Sequence, residues 1–339
     1  MSQNHEQPVS SAPETVLNLA VRESSPAQGA RARGILAGAR RGLQGIDIPY
    51  YAGMVIIVIW VIIACTAPLW VPFHPTEYQD IGNRLSPPSG AHWFGTDELG
   101  RDVFSRVMSG SQLSIPIAVL TVTIAAVVGT IVGAISGFVG GWVDELLMRI
   151  CDVILSFPAI VLALAIVAAL GPNWFNVVGA ISLVMWPEYC RLMRSQVLSI
   201  RTNLHVTAAV SVGCSPARVF VKHVLPFGLP SVLVKATVDL GMVILITAGL
   251  SFIGVGVTPP TPEWGAMVSG AQTRIDSWWL VLFPGLAILS LVLAFNFVGD
   301  GLRDLLDPQM RAQRRKRRSL GDTLRRTFLG NLFRKGAAV

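Results

Sequence analysis

Charge is what this 339-residue sequence has least of: 14% of its residues are Asp, Glu, Lys or Arg, against about 25% in an average soluble domain. The shortage excludes an ordinary soluble surface over most of the chain. Lysine is scarcer still, with Lys222, Lys235, Lys316 and Lys335 as the full set. None completes a glycine-rich loop ending Gly-Lys-Ser/Thr, the cradle that an ATPase needs for nucleotide phosphates. The four cysteines, Cys65, Cys151, Cys190 and Cys214, lie in or beside apolar runs without CxxC spacing, which excludes a disulfide scaffold and leaves small packing residues. The five histidines, His5, His74, His92, His205 and His223, never fall at HxxxH spacing. A protein-built metal site is therefore not expected, and without the phosphate-cradling loop no catalytic residue is expected either.

What the chain has instead is apolar residues, 52% of the total, gathered into long blocks. A membrane-spanning helix needs about 20 of them, because its backbone must satisfy itself across roughly 30 Å of hydrocarbon. Six stretches qualify, at 51–71, 112–137, 149–170, 173–190, 229–256 and 279–298, the fourth being short and containing Pro187. The expected fold is all-α and integral to the membrane, with six transmembrane helices in a domain at 46–308. Basic residues resist translocation and so set the orientation. With the N-terminus inside, 21 of the 27 Lys and Arg fall in inner segments, which predicts a multi-pass protein with both termini cytoplasmic. The segment 1–45 reads as a disordered basic extension and 309–339 as a basic cytoplasmic tail, both suited to anionic lipid. Neither carries a base-reading motif or stacking aromatics, so nucleic acid is not an expected partner.

Within the spans, Gly129, Gly133 and Gly137 repeat every four residues. They line one helix face for close packing, either inside the chain or against another subunit. Charges in spans are costly and should have partners. Glu145 with Arg149, Arg149 with Asp152, and Lys235 with Asp239 are spaced to meet on one helix face near the cytoplasmic ends, as structural pairs or as part of a substrate or proton path. Thr96 is expected to cap an amphipathic helix on the external surface, serving either as an interfacial anchor or in a functional role there. It would carry the pairs Asp97–Arg101 and Asp102–Arg106, with Leu99, Val103, Phe104, Val107 and Met108 on the opposite face. The loop from Thr258 to Gly265, stiffened by Pro259, Pro260 and Pro262, should sit outside. At the last helix end, Gly299, Asp300, Gly301, Arg303, Asp304 and Asp307 crowd acidic groups where the macrodipole disfavours them, with Arg303 and the basic tail as compensating partners.

The stretch between the fourth and fifth spans reads HVTAAVSVGCSPARVFVKHVLP, from His205 to Pro226. It predicts a helix, a break and a second helix. Ala208 and Ala209 favour the first, Gly213 can take the left-handed conformation that ends it, Ser215 can cap the next and Pro216 suits its first turn. Pro226 is expected to stop it. Such a hairpin suits a groove on a partner.

This stretch resembles the EAA loop of ATP-binding-cassette importer permeases, with Ala208, Ala209, Gly213, Leu225 and Pro226 on the motif and Thr207 where Glu is usual. Three further stretches are similar to the second, shorter permease subunit of dipeptide, oligopeptide and nickel importers. They are HWFGTDELGRDVFSRVMSG from His92, LSFIGVGVTPPTPEWGAMV from Leu250 and PGLAILSLVLAFNFVGDGLRDLLDP from Pro284. The resemblance implies a type I-like permease fold and a coupling loop at 203–226, in which Thr207, Ala208, Ala209, Gly213, Ser215, Pro216, Leu225 and Pro226 meet an ATPase. It also implies an external gate or binding-protein contact around Asp97, Arg101, Asp102, Pro262, Glu263 and Trp264. The alternative for the proline-rich loop is a rigid connector with Trp264 at the lipid interface.

Implied partners are a homologous sister permease, two ATP-binding subunits that carry ATP and Mg, and an extracytoplasmic solute-binding protein in a bacterial cell membrane; the chain itself would hold no cofactor. The implied activity is import of short peptides by alternating access. Nickel or another small solute is the alternative cargo. An ion-coupled secondary carrier would instead show inverted repeats and discontinuous helices with ionisable residues at mid-membrane, neither of which the sequence displays.

Overall fold

The computed structural model describes residues 48–272, 274 and 276–306. The extensions 1–45 and 309–339, together with Asp307, lie outside the described residues. Among those described, the regular elements are helices, with one isolated bridge between Thr96 and Asp102. We number them α1 (Ile48–Trp70), α2 (Val103–Val139), α3 (Gly141–Leu155), α4 (Ala159–Leu170), α5 (Trp174–Ile200), α6 (Leu204–Ser211), α7 (Pro216–Val219), α8 (Leu225–Phe252), α9 (Trp264–Ser269) and α10 (Trp279–Leu306). A π-turn, Phe220–Val224, joins α7 to α8.

Four segments are long and apolar enough to cross a membrane: α1, α2, the run Pro216–Phe252, and α10. A fifth arises if α3 and α4 form one span, bent by 84°. At 27 residues, α5 is about 40 Å long, but its second half carries Glu188, Arg191 and Arg194. Exposed apolar side chains such as Val55, Ile59 and Ile62 on α1, and Val127 and Ile131 on α2, cover far more surface than a soluble protein leaves uncovered. The chain is a multi-pass membrane protein.

Three expectations need correction. The stretch 149–170 is not one straight span. Pro158 disfavours the α-region at Phe157 and has no N–H of its own, so α3 ends at Leu155 and the chain turns through Ser156 and Phe157 before α4. The other end of α3 reaches back to Gly141 because Gly140 and Gly141, at φ 71° and 61°, turn the chain sharply after α2.

No surface helix forms at 96–102. The Asp97 carboxylate accepts from the N–H groups of Leu99 and Arg101, a local turn that competes with helix. Asp102, not Thr96, caps the helix, which starts at Val103 and continues as the second span; Val103, Phe104 and Val107 are buried in it.

Pro226 does not stop the second helix of the hairpin. The Leu225 N–H reaches Phe220 O, five residues back, and this π-turn skips the bond that Pro226 cannot donate. Pro226 then falls in the first turn of α8, where its missing N–H costs nothing.

At the centre, α2 lies along α5 and also touches α1 and α8. The glycine stripe makes this possible. A Cβ on Gly133 would stand 2.1 Å from Cys190 O, and one on Gly129 2.4 Å from Trp186 O. The close packing is thus internal to the chain, α2 against α5.

Candidate functional site

Two ends of the bundle and one charged cluster between them hold the candidate residues. At the end reached by the C-terminus of α2, α6 closes in a full Schellman arrangement. The Gly213 N–H bonds to Val210 O at 2.9 Å and the Cys214 N–H to Ala209 O at 3.1 Å, with Gly213 at φ 82°. Both bonds satisfy carbonyls that the helix end would otherwise leave open. Ser215 has the backbone shape of an N-cap, without a side-chain bond, and Pro216 occupies the first turn of α7.

Thr207, Ala208, Gly213, Ser215, Pro216 and Pro226 are exposed, while Ala209 is buried and Leu225 half-buried. Val206 and Ala209 hold α6 to the core, and the His205 ring lies 4.8 Å from that of Phe227. The outward face carries Leu204 and Val212, 85% and 80% exposed, with Ala208 between them at four-residue spacing. Thr207 Oγ1 donates to Asn203 O at 3.3 Å, so the hydroxyl closes on its own helix and brings no charge to the surface.

At the opposite end, residues 71–102 and 253–272 are tied together through buried polar groups. Asp102 Oδ2 accepts from Ser105 N and Oγ at 2.8 and 2.6 Å, and Oδ1 lies 2.9 Å from His92 Nδ1. Arg106, which the sequence reading paired with Asp102, instead donates to Pro75 O and Pro260 O at 2.7 and 3.2 Å, tying both loops to the head of α2. Asp97 binds Arg101 Nε at 2.7 Å and lies 3.6 Å from Arg106. A cleft of about 280 Å³ brings Asp97, Glu98, Arg101 and Arg106 to Pro259 and Met267.

Beneath it sit Pro262, Glu263 and Trp264, all buried. Glu263 caps α9 by accepting from Gly265 N and Ala266 N. Burial pushes its carboxyl pKa up, against those two amide bonds. Trp264 is no lipid anchor. It is 0% exposed, donates to Val107 O at 2.9 Å and stands edge-on to Trp60; Gly110 leaves it room, since a Cβ there would approach its ring to 2.9 Å. Asp102→Ala should remove a cap worth about 1–2 kcal/mol and strand buried His92. We expect a lower melting temperature in detergent, with Asp102→Asn intermediate.

The third feature was only half legible. Lys235 meets Asp239 at 3.1 Å, as the spacing predicted, but also meets Glu188 on α5 at 2.7 Å, and its Nζ stands 5.2 Å from the centre of the Tyr189 ring. Glu188 carried a signal, a carboxylate inside an expected span, but its partner lies 47 residues away. Glu188 is the fifteenth residue of α5, and Lys235 and Asp239 are the eleventh and fifteenth of α8, because α5 continues past the span expected at 173–190 and α8 begins before the one expected at 229–256. Asp152 is paired by Arg191, not Arg149, whereas Arg149 keeps Glu145 at 3.5 Å. Among the described residues no three His, Cys, Asp or Glu side chains are grouped to hold a metal.

Residues 129–312 match the family model described as "Binding-protein-dependent transport system inner membrane component". Over 256 residues the chain is 46% identical to the probable D,D-dipeptide transport system permease protein DdpC of Escherichia coli (strain K12), covering 75% of this chain and 86% of the relative. It is 45% identical over 261 residues to the dipeptide transport system permease protein DppC of Alkalihalophilus pseudofirmus, covering 77% and 86%. Identity to the glutathione transport system permease protein GsiD of Escherichia coli O6:K15:H31 is 43% over 256 residues, covering 75% and 84%.

Proposed function

Because the chain belongs to the family of binding-protein-dependent transport-system inner-membrane components, and so is a permease subunit of an ATP-binding-cassette importer and not an enzyme, we propose that it conducts short peptides across a bacterial cell membrane. The relatives above are named for dipeptides and for glutathione, itself a peptide, which favours peptides over nickel as cargo. The path would lie between this chain and a homologous sister permease, with an extracytoplasmic solute-binding protein delivering substrate. Two separate ATP-binding subunits would hold ATP and Mg.

The observation that carries the reading is the hairpin of α6 and α7. It is exposed, has an apolar outer face at Leu204, Ala208 and Val212, and is built without interruption onto the helix run that becomes α8. A surface of this kind suits a groove in an ATP-binding subunit. Movement of that groove would reach α8 directly and switch the permease pair between inward- and outward-open states. The distribution of basic residues supports placing this end, and both termini, in the cytoplasm. The cleft at Asp97 and Arg101 would then face the binding protein.

Two measurements test this. Ala208→Cys, in a Cys214→Ser background, should cross-link to the ATP-binding subunit in membrane vesicles when a short thiol reagent is added; absence of any cross-link at 207, 208 or 212 sinks the docking assignment. Deleting the subunit should abolish ATP-dependent dipeptide uptake and leave nickel uptake intact. The reverse pattern would reassign the cargo.

A further inference from the structure

The charges on α3, α5 and α8 do not balance. Asp144 is matched by Arg194, Glu145 by Arg149 and Asp152 by Arg191. The remaining three, Glu188, Lys235 and Asp239, form one cluster with a single cation between two carboxylates. It therefore holds one negative charge in excess. Lys235 and Asp239 stand on the run Pro216–Phe252, which is long and apolar enough to cross a membrane, and an uncompensated charge on such a run is costly.

The two carboxylates are not equivalent. Asp239 has a side chain 11% exposed and lies one helical turn from Lys235, whereas the Glu188 side chain is 47% exposed. Lys235 lies closer to Glu188, at 2.7 Å, than to Asp239, at 3.1 Å, but Asp239 is enclosed and Glu188 is the member that a ligand can reach. A half-open carboxylate packed against such a run is not expected to face hydrocarbon; ionisable groups there face a bundle interior or a water-filled cavity. A carboxylate accepts hydrogen bonds and donates none. Its complement is therefore a cation with N–H donors, and the described residues of this chain offer no second one at Glu188. A bare metal ion is a poorer match, because no third His, Cys, Asp or Glu joins the cluster.

We propose that Glu188, held in place by Lys235 and Asp239, is a way-station in the translocation path that binds the substrate's protonated amine, the α-ammonium of a peptide. This rests on the peptide reading above and adds to it the end of the peptide that the path recognises. The ammonium would restore neutrality to the cluster while it resides there and leave the excess charge when it departs. Lys235 acts by positioning, since removing it would strand two carboxylates.

Glu188→Gln is the clean probe, because it leaves Lys235 and Asp239 as a neutral pair and removes the excess charge without opening a cavity. The full complex in proteoliposomes is given a dipeptide or its isosteric 2-hydroxyacyl analogue, which lacks the ammonium, at concentrations that load the binding protein equally. The native complex should transport the dipeptide about tenfold faster than the analogue, the scale expected for one charge-assisted hydrogen bond. In Glu188→Gln the ratio should fall towards one, and in Glu188→Asp it should recover in part. Equal slowing of both substrates, or a ratio indifferent to position 188, overturns the ammonium site; so does an amount of assembled complex that falls in step with transport, which marks a structural ion pair. Failure of the native complex to transport either compound, with its binding protein loaded, strikes the peptide reading itself.

Discussion

Gly213→Pro is expected to abolish substrate transport while the protein still inserts and accumulates. Both hydrogen bonds that close α6 depend on this residue: its own N–H reaches Val210 O, and its φ of 82° aims the Cys214 N–H at Ala209 O. Proline has no N–H to give and fixes φ near −65°, so the exit of the chain from α6 must change and α7 can no longer lie back beside it. The surroundings contribute no clash, because a Cβ at Gly213 would meet nothing within 4 Å. Damage is therefore confined to the hairpin. Gly213→Ala isolates the backbone term: it keeps the N–H and meets only the left-handed strain of about 1–2 kcal/mol, so transport should drop partially. Peptide uptake and substrate-stimulated ATP hydrolysis, measured on the same proteoliposomes at matched protein levels, decide the matter. Native stimulation of ATP hydrolysis in Gly213→Pro would show that the hairpin does not transmit the signal.

The reach of that signal follows from the π-turn. With a proline-broken helix at 226, a displaced α7 would pivot freely against α8. The Leu225 N–H to Phe220 O bond instead carries helical backbone past Pro226, so 37 residues from Pro216 to Phe252 act as one element. Lys235 and Asp239 stand on that element and Glu188 on its neighbour α5. Under the proposed coupling, a tilt of the first shifts the distance between Lys235 and Glu188. In that proposal the docking surface and the charged cluster would be two stations on one lever.

The sequence made the hairpin legible because its signals are local: Gly213, Ser215 and Pro216 announce their own backbone conformations to within a turn. Local signals also misled. Pro226 reads as a stop because the rule assumes a regular α-helix, and the π-turn that evades it leaves no mark in composition. Asp97 and Asp102 are spaced four from Arg101 and Arg106, yet the first pair closes a turn and the second never forms, since Gly95 and Gly100 at φ 73° and 71° hold 96–102 out of helix. Pairings between elements were illegible for a different reason. Nothing in the neighbourhood of Glu188 names Lys235, and nothing near Trp264 names Val107, so both required the fold. The broken helix α3–α4 and the mid-helix charges are features the sequence reading reserved for an ion-coupled carrier; the family match, not their absence, assigns the chain to an ATP-driven system.

Gly133→Val is expected to remove the folded subunit altogether. The α2–α5 contact is backbone against backbone at this position: an added Cβ would stand 2.1 Å from Cys190 O, 2.8 Å from its carbonyl carbon and 2.9 Å from its Cα. No side chain stands in the way to rotate aside, so the two helices must separate. Separation would strain contacts on both sides at once, Gly129 against Trp186 and Tyr189 above, and the Arg201 bond to Gly137 O at 3.2 Å below. Overpacking of ordinary cores costs about 1–3 kcal/mol; a collision with main chain at the longest interface in the bundle should exceed that, against a total stability of about 5–15 kcal/mol. Fluorescence-detected size exclusion of solubilised membranes should show the monodisperse peak lost. Gly179→Ala is the matched control, a helical glycine on α5 with nothing within 4 Å of its Cβ, where alanine should stabilise the helix by up to about 1 kcal/mol. If Gly133→Val ran as a native peak with native melting temperature, α2 and α5 could not be in the contact that positions Glu188, and the placement of the charged cluster would fall with it.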